Sequence, residues 1–251
     1  MIAKSRRGML VRLVLACIWF LCAHAAVCAP LDLTPESVTA GAQSLYRARL
    51  ADAEQKFELD TDTAFVVRVK RIADRLIVQA MHDDPETRNF KWEIHVTDDA
   101  QESASGMAGG KLLVGQAYVE KLALNDSELA MLLGHEIAHI VLAHNFREMQ
   151  EALKMEPERS AQSFAALEYA IDHDAALMTK LADLNSAQES EADMEGLRMA
   201  ARAGWAPLAL AGYFKKMAHA DPMANFDSRE HPAAARRWRA ARELAAQISA
   251  K

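Results

Sequence analysis

The chain has 251 residues, 51% hydrophobic and 25% charged, with a formal net charge of −6. That length and balance suit one catalytic domain with an ample core, and they exclude an intrinsically disordered chain. The first 25 residues hold Lys4, Arg6, Arg7 and Arg12 but no acid, so the remainder carries 25 basic against 35 acidic residues. Such a balance argues against nucleic acid as a partner.

Residues 1–29 read as an export signal. A basic start is followed by an apolar run over residues 13–22 and a small-x-small cleavage pattern at Ala23-His24-Ala25. Two variants stay open: a twin-arginine signal at Arg6-Arg7, and a lipoprotein signal with Cys28 as the lipidated residue. Cys17, Cys22 and Cys28 are the only cysteines, so the 30–251 domain beyond Cys28 has no disulfide framework.

Thr34 and Pro35 start a helix that runs to about residue 59. A second helix covers about 62–82, with Phe65, Val66, Val69, Ile72, Ala73, Leu76, Ile77 and Ala80 at helical spacing. Residues 90–97 alternate as a half-buried strand. A polar loop then leads through Gly106, Gly109 and Gly110 into Lys111-Leu112-Leu113-Val114. This short strand is either an ordinary hairpin arm or a sheet edge on which an extended peptide is laid.

A short helix covers residues 116–124, and a longer one 126–150. Asn125, Asp126 or Ser127 can cap the longer helix, with Glu128 in its first turn. It contains His135-Glu136-Ile137-Ala138-His139, an H-E-x-x-H pattern. Residues four apart share a helix face, so His135 and His139 can present two imidazoles to one metal ion. Glu136 sits about 100° round from His135 and can reach a metal-bound water. His144, five positions beyond His139, faces elsewhere and reads as structural or exposed rather than a ligand. Leu142 and Asn145 stand where a metzincin needs glycine and histidine, which excludes that class.

Residues 151–183 read as helical, broken near Pro157, and form a cleft wall or lid. A further helix covers 185–203, with Asn185 as its candidate cap. In Glu189-Ser190-Glu191-Ala192-Asp193, Glu189 and Asp193 share a face while Glu191 points away. A carboxylate from this helix would complete a two-histidine, one-carboxylate site, with Asp193 available to hydrogen-bond a ligand histidine. A solvated acidic helix start is the alternative. Gly204 ends this helix, and another follows over 206–219. His231 precedes Pro232, where the last helix begins, and is either structural or able to swing toward the metal. The cluster Arg236, Arg237, Arg239 and Arg242 reads as a solvated face.

Gly109-Gly110-Lys111-Leu112-Leu113-Val114, the H-E-x-x-H helix, Glu189 to Asp193, Ala203-Gly204-Trp205 and His231-Pro232 occur in an order and spacing that resembles a known family. It is the zinc metallopeptidases of the HtpX and CAAX-prenyl-protease type (metallopeptidase family forty-eight). The chain looks most like their soluble BepA-like and LoiP-like periplasmic branch. The resemblance covers about residues 40–242. Ala108 departs from a frequent family proline, and Arg229-Glu230 from a frequent hydroxyl pair before His-Pro.

The resemblance implies a mostly helical α+β fold, a gluzincin-type metalloprotease domain whose small β-sheet carries a substrate-binding edge strand at 111–114. It implies one zinc per chain on His135, His139 and Glu189, with Glu136 as general base and Asp193 behind the ligands. His231 would assist the transition state or cap the zinc in a latent form; Tyr213 is a further oxyanion candidate. The expected function is a zinc metalloendopeptidase in the periplasm, acting on misfolded or outer-membrane proteins. Outer-membrane attachment is the open variant, and a lipid anchor the one expected membrane contact. Polypeptide substrates and outer-membrane assembly machinery are the expected partners. Two rivals remain: a chaperone-like assembly factor with a latent or structural zinc, and a zinc hydrolase of small molecules. No G-x-S-x-G pattern or domain cysteine supports nucleophile chemistry.

Overall fold

The computed structural model describes residues 31–228 and 231–250. The expected export signal lies outside these residues. Helix α1 (Pro35–Gln55) starts on a Thr34 capping box, and α2 (Thr63–Asp83) on the Asp62 carboxylate, which accepts from the amides of Ala64 and Phe65. All eight apolar residues expected to face inward from α2 are buried in the main core. The fold is mostly helical α+β, as expected.

Three strands make one small sheet in the order β1-β3-β2. Strand β1 (Glu93–Thr97) runs parallel to β3 (Lys111–Gly115), and β2 (Ala104–Met107) runs antiparallel to it. This corrects the expectation that Lys111, Leu112, Leu113 and Val114 form an edge. They lie in the central strand, and every residue of β3 is buried. An unbroken Leu-Leu-Val run fits a strand covered on both faces better than a half-exposed edge. The edge beside the H-E-x-x-H helix is β2. A Cβ on its Gly106 would stand 2.5 Å from the Glu136 carbonyl oxygen, so the glycine permits this contact. Gly109 and Gly110, at φ 79° and 88°, turn the chain from β2 into β3.

Short α3 (Gln116–Lys121) leads to α4 (Asp126–Val141), the H-E-x-x-H helix, at the centre of the molecule. Asn125 caps it in a reciprocal box with Glu128. The helix does not run on to residue 150. Leu142 ends it, and Ala143 adopts φ 51°, ψ 40°, so that α5 (His144–Met155) starts in a new direction. Neither glycine nor proline marks that break.

Helices α5, α6 (Phe164–His173) and the first half of α7 (Ala175–Arg202) close a second, smaller core around Met149, Leu167, Ile171, Leu177 and Leu181, with Val38 of α1. From the stretch 151–183, read in the sequence as a cleft wall or a lid, Ile171, Asp172 and His173 line a cavity together with His139, Glu189 and His231. Helix α7 starts ten residues before Asn185, because Asp174 accepts from the amides of Ala176 and Leu177 and caps it there. Two short helices, α8 (Pro207–Leu210) and α9 (Gly212–Ala220), and the last helix, α10 (Ala234–Ser249), complete the main core. Among the described residues no helix is long and apolar enough to cross a membrane.

Candidate metal centre

Helix α4 supplies His135 and His139 one turn apart, with their Nε2 atoms 3.1 Å from each other. Helix α7 crosses α4 and brings in Glu189. Its Oε1 lies 3.1 Å from His139 Nε2 and its Oε2 3.6 Å from His135 Nε2. The ligand-capable atoms of these three residues all lie within 4.8 Å of one another.

The donor set fits a metal ion. Two nitrogens each about 2.1 Å from a tetrahedral zinc stand roughly 3.4 Å apart, close to the spacings here. The outer nitrogens of both rings lie close to other side chains. His135 Nδ1 lies 3.0 Å from Asp193 Oδ1, and His139 Nδ1 lies 3.0 Å from His144 Nδ1. Both Nε2 atoms therefore face each other and the Glu189 carboxylate. A cation there relieves the repulsion between their lone pairs.

The electrostatics agree. Burial opposes ionisation of Glu189, but His135, His139, Arg237 and His231 outweigh it and hold the carboxyl well below its usual range. Asp193 is likewise buried, and Arg237 and His135 hold it below the usual carboxylate value. Arg237 donates to both Asp193 oxygens at 2.7 and 2.6 Å, and its Nη1 lies 3.1 Å from Glu189 Oε2. It is 7% exposed. This corrects the reading of the C-terminal arginines as one solvated face. The overlooked signal was small: Ala234, Arg237, Ala241 and Ala245 share one helix face, and the alanines on it are buried. Arg236 pairs instead with Asp227 at the surface.

Glu136 lies outside the ligand set and lines the same cavity as His135, His139 and Glu189, of about 740 Å³. Burial pushes its carboxyl up, against the pull of His135 and His139. Tyr118 and Tyr213 line that cavity too, with their hydroxyls 3.2 Å apart. Burial raises the Tyr213 phenol far above its ordinary value, so it stays protonated. His231 reaches in from the loop between α9 and α10. Its Nε2 is 3.6 Å from Glu189 Oε2, and its ring is half exposed. A local turn holds it: the Ser228 amide donates to the His231 carbonyl, and the His231 amide donates to Ser228 Oγ.

His144 lies outside the group of His135, His139 and Glu189, buried against it and 2% exposed. The bend at Ala143 turns it back onto His139, which a continuous helix would not do. Its Nε2 lies 3.2 Å from Glu191 Oε2, and Arg147 donates to the same oxygen at 2.7 Å. Burial, with His139 beside it, pushes His144 down to about 4, so it is neutral at ordinary pH. Of the residues singled out in the sequence, His135, Glu136, His139, Glu189, Asp193 and His231 come together here. Leu112, Leu113 and Val114 do not: all three are buried, and Leu112 and Val114 belong to the main core.

Residues 67–245 match peptidase family M48. The chain belongs to that family. It is a metallopeptidase, and His135, His139 and Glu189 form a group that could hold a metal ion. Relatives agree. Metalloprotease YcaL of Escherichia coli (strain K12) is 26% identical over 216 residues, covering 79% of this chain and 83% of that protein. Metalloprotease LoiP of the same organism is 26% identical over 217 residues, covering 80% and 84%. The mitochondrial metalloendopeptidase OMA1 of Saccharomyces cerevisiae is 26% identical over 209 residues, covering 78% of this chain. The match takes in 56% of the yeast protein, little more than half of its length.

Proposed function

We propose that this M48 chain is a zinc-dependent metalloendopeptidase of exported proteins, with His135, His139 and Glu189 as the ligands and Glu136 as the general base. The observation that carries the reading is the convergence of three ligand-capable atoms within 4.8 Å, with the half-buried Glu136 lining the same cavity outside that group. When zinc is bound, the chemistry it supplies is polarisation of the scissile carbonyl and a lowered pKa of water, to about 7. Glu136 takes the proton of the attacking water and returns it to the leaving amine. Its raised proton affinity suits it to hold that proton between the two events. Asp193, anchored by Arg237, orients His135. His231 and the protonated Tyr213 are the donors available to the developing oxyanion.

The substrate backbone pairs with β2 rather than with β3. Ala104, Ser105 and Gly106 line the cavity beside Glu136, and β2 is the edge strand on that side. Strand addition would supply main-chain hydrogen bonds without demanding one sequence, which suits unfolded polypeptide clients. Location in the periplasm rests on the export signal at residues 1–29, and lipidation at Cys28 would tether the domain to a membrane. Misfolded and outer-membrane proteins are the clients that such a location supplies, and the outer-membrane assembly machinery is the partner it would meet.

The test compares cleavage of an unfolded model protein by wild type and by Glu136→Gln, each loaded with zinc. Loss of cleavage in the variant is expected. Equal cleavage by both would overturn the mechanism and favour an assembly role in which the metal is only structural.

A further inference from the structure

We infer that His144 and Glu191 form a positioning relay that fixes the tautomer of His139 and aims its Nε2 at the metal. The inference rests on the reading of His139 as a ligand and goes beyond it by assigning residues that the H-E-x-x-H pattern does not include.

The argument is one of hydrogen counting. Arg147 holds Glu191 as a carboxylate, which only accepts hydrogen bonds. Its Oε2 lies 3.2 Å from His144 Nε2, so that nitrogen carries the hydrogen. A neutral imidazole has one N–H, which leaves His144 Nδ1 bare. The bare nitrogen faces His139 Nδ1 at 3.0 Å. His139 Nδ1 is then the donor, and its single N–H is used there. What remains on His139 is a lone pair at Nε2, pointing toward His135 Nε2 and Glu189 Oε1. The opposite tautomer of His144 would aim its N–H at His139 and leave Glu191 facing a bare nitrogen.

The two candidate ligands are therefore oriented by different devices. His135 meets a carboxylate, Asp193, directly. His139 meets one only through a second imidazole. Both carboxylates come from α7, Glu191 and Asp193 both following Glu189, and each is paired with an arginine: Asp193 with Arg237, Glu191 with Arg147. The left-handed turn at Ala143 makes the second arrangement possible by folding His144 back under His139. Gln188 Nε2 donates to the His144 carbonyl at 3.3 Å and ties the start of α5 to α7. A ligand histidine with its outer nitrogen left unfixed loses both orientation and basicity.

The experiment measures zinc affinity of the full chain by competition with a chelator, alongside thermal stability of the metal-free protein. His144→Phe is expected to weaken zinc binding by about 10- to 100-fold. Asn at that position brings an amide oxygen close to where Nδ1 now accepts, so His144→Asn is expected to recover most of the loss. Glu191→Ala, at a half-exposed site that tolerates substitution, is expected to weaken binding several-fold and so tests the relay even if His144→Phe does not fold. Nitrogen NMR of the metal-free wild type is expected to show His144 protonated at Nε2. Wild type that binds zinc while Glu191→Ala and His144→Phe bind it equally well would overturn the relay alone. So would His144 protonated at Nδ1. Wild type that takes up no zinc would overturn the ligand assignment beneath it.

Discussion

Gly134 of α4 and Gly196 of α7 meet backbone to backbone: a Cβ on Gly196 would stand 2.7 Å from both Gly134 C and His135 N. The crossing sits beside His135 and within two turns of Glu189, so it sets the distance between the two helices that supply the ligand group. Alanine in an exposed helix interior would stabilise by ~1 kcal/mol over glycine. Here overpacking against backbone is expected to win, at ~1–3 kcal/mol. Gly196→Ala should lower the melting temperature and weaken zinc binding together. A variant that melts higher than wild type and binds zinc normally would show that the close crossing is incidental.

Arg237 is the cation on which two buried carboxylates depend. Replacing it with methionine keeps the bulk but leaves the buried Asp193 and Glu189 with only histidines to offset their charge, which should cost ~3–5 kcal/mol in the metal-free protein. Lysine should rescue little, because it cannot reproduce the two-pronged contact with Asp193. The sign of the pH dependence follows from the depressed carboxyls. Their stabilisation is present above the unfolded carboxyl pKa of about 4 and is lost as pH falls through the lower folded value. The gap between wild type and Arg237→Met in urea unfolding should therefore close as pH falls. A gap that widens in acid would refute the pairing argument.

A second acidic group has the opposite sign. Burial, with Asp172 and Glu168 nearby, pushes Glu148 up to about 8, and burial with Asp172 pushes Glu168 up to about 7. Asn145 donates to Glu168 but supplies no charge. A raised folded pKa gives a contribution that is complete below the unfolded value of about 4 and is lost as pH rises through 7 to 8. The wild-type melting temperature should decline between about pH 6 and about pH 9, and Glu148→Gln should flatten that decline. An unchanged slope in the variant would mean that Glu148 is ionised throughout this range.

These residues also show where sequence reasoning reaches its limit. The inward face of α2, the Asn125 cap and the shared face of His135 and His139 follow from helical periodicity and local capping, both of which act over a few residues. The meeting of that pair with Glu189, some fifty residues on, is implied by the family resemblance and not by local pattern. The helix break at Ala143 carries no glycine or proline, and tertiary packing alone makes that left-handed turn worth adopting. His144 therefore looked as if it faced away from His139. Arg237 was masked by its neighbours Arg236, Arg239 and Arg242; the buried alanines on its face say more than its charge does. The order of strands depends on pairing over long distances, so the sequence located β3 well and its place in the sheet wrongly.

That last difference separates two strands by experiment. Leu112 is fully buried in β3, and its hydroxyl neighbour Tyr46 donates to its carbonyl at 2.7 Å. Leu112→Ala should cost ~2–5 kcal/mol of stability through the cavity it leaves. Turnover per folded molecule should hardly change. Gly106→Ala, on β2, should do the reverse in kind. Its methyl would press on the Glu136 carbonyl and push the edge strand away from α4. A displacement near 1 Å at such a position costs about 10- to 100-fold in kcat/KM. Measuring peptide hydrolysis and melting for both variants decides which strand carries substrate. If Leu112→Ala abolished turnover in folded protein while Gly106→Ala left it intact, the substrate would have to be laid elsewhere than on β2.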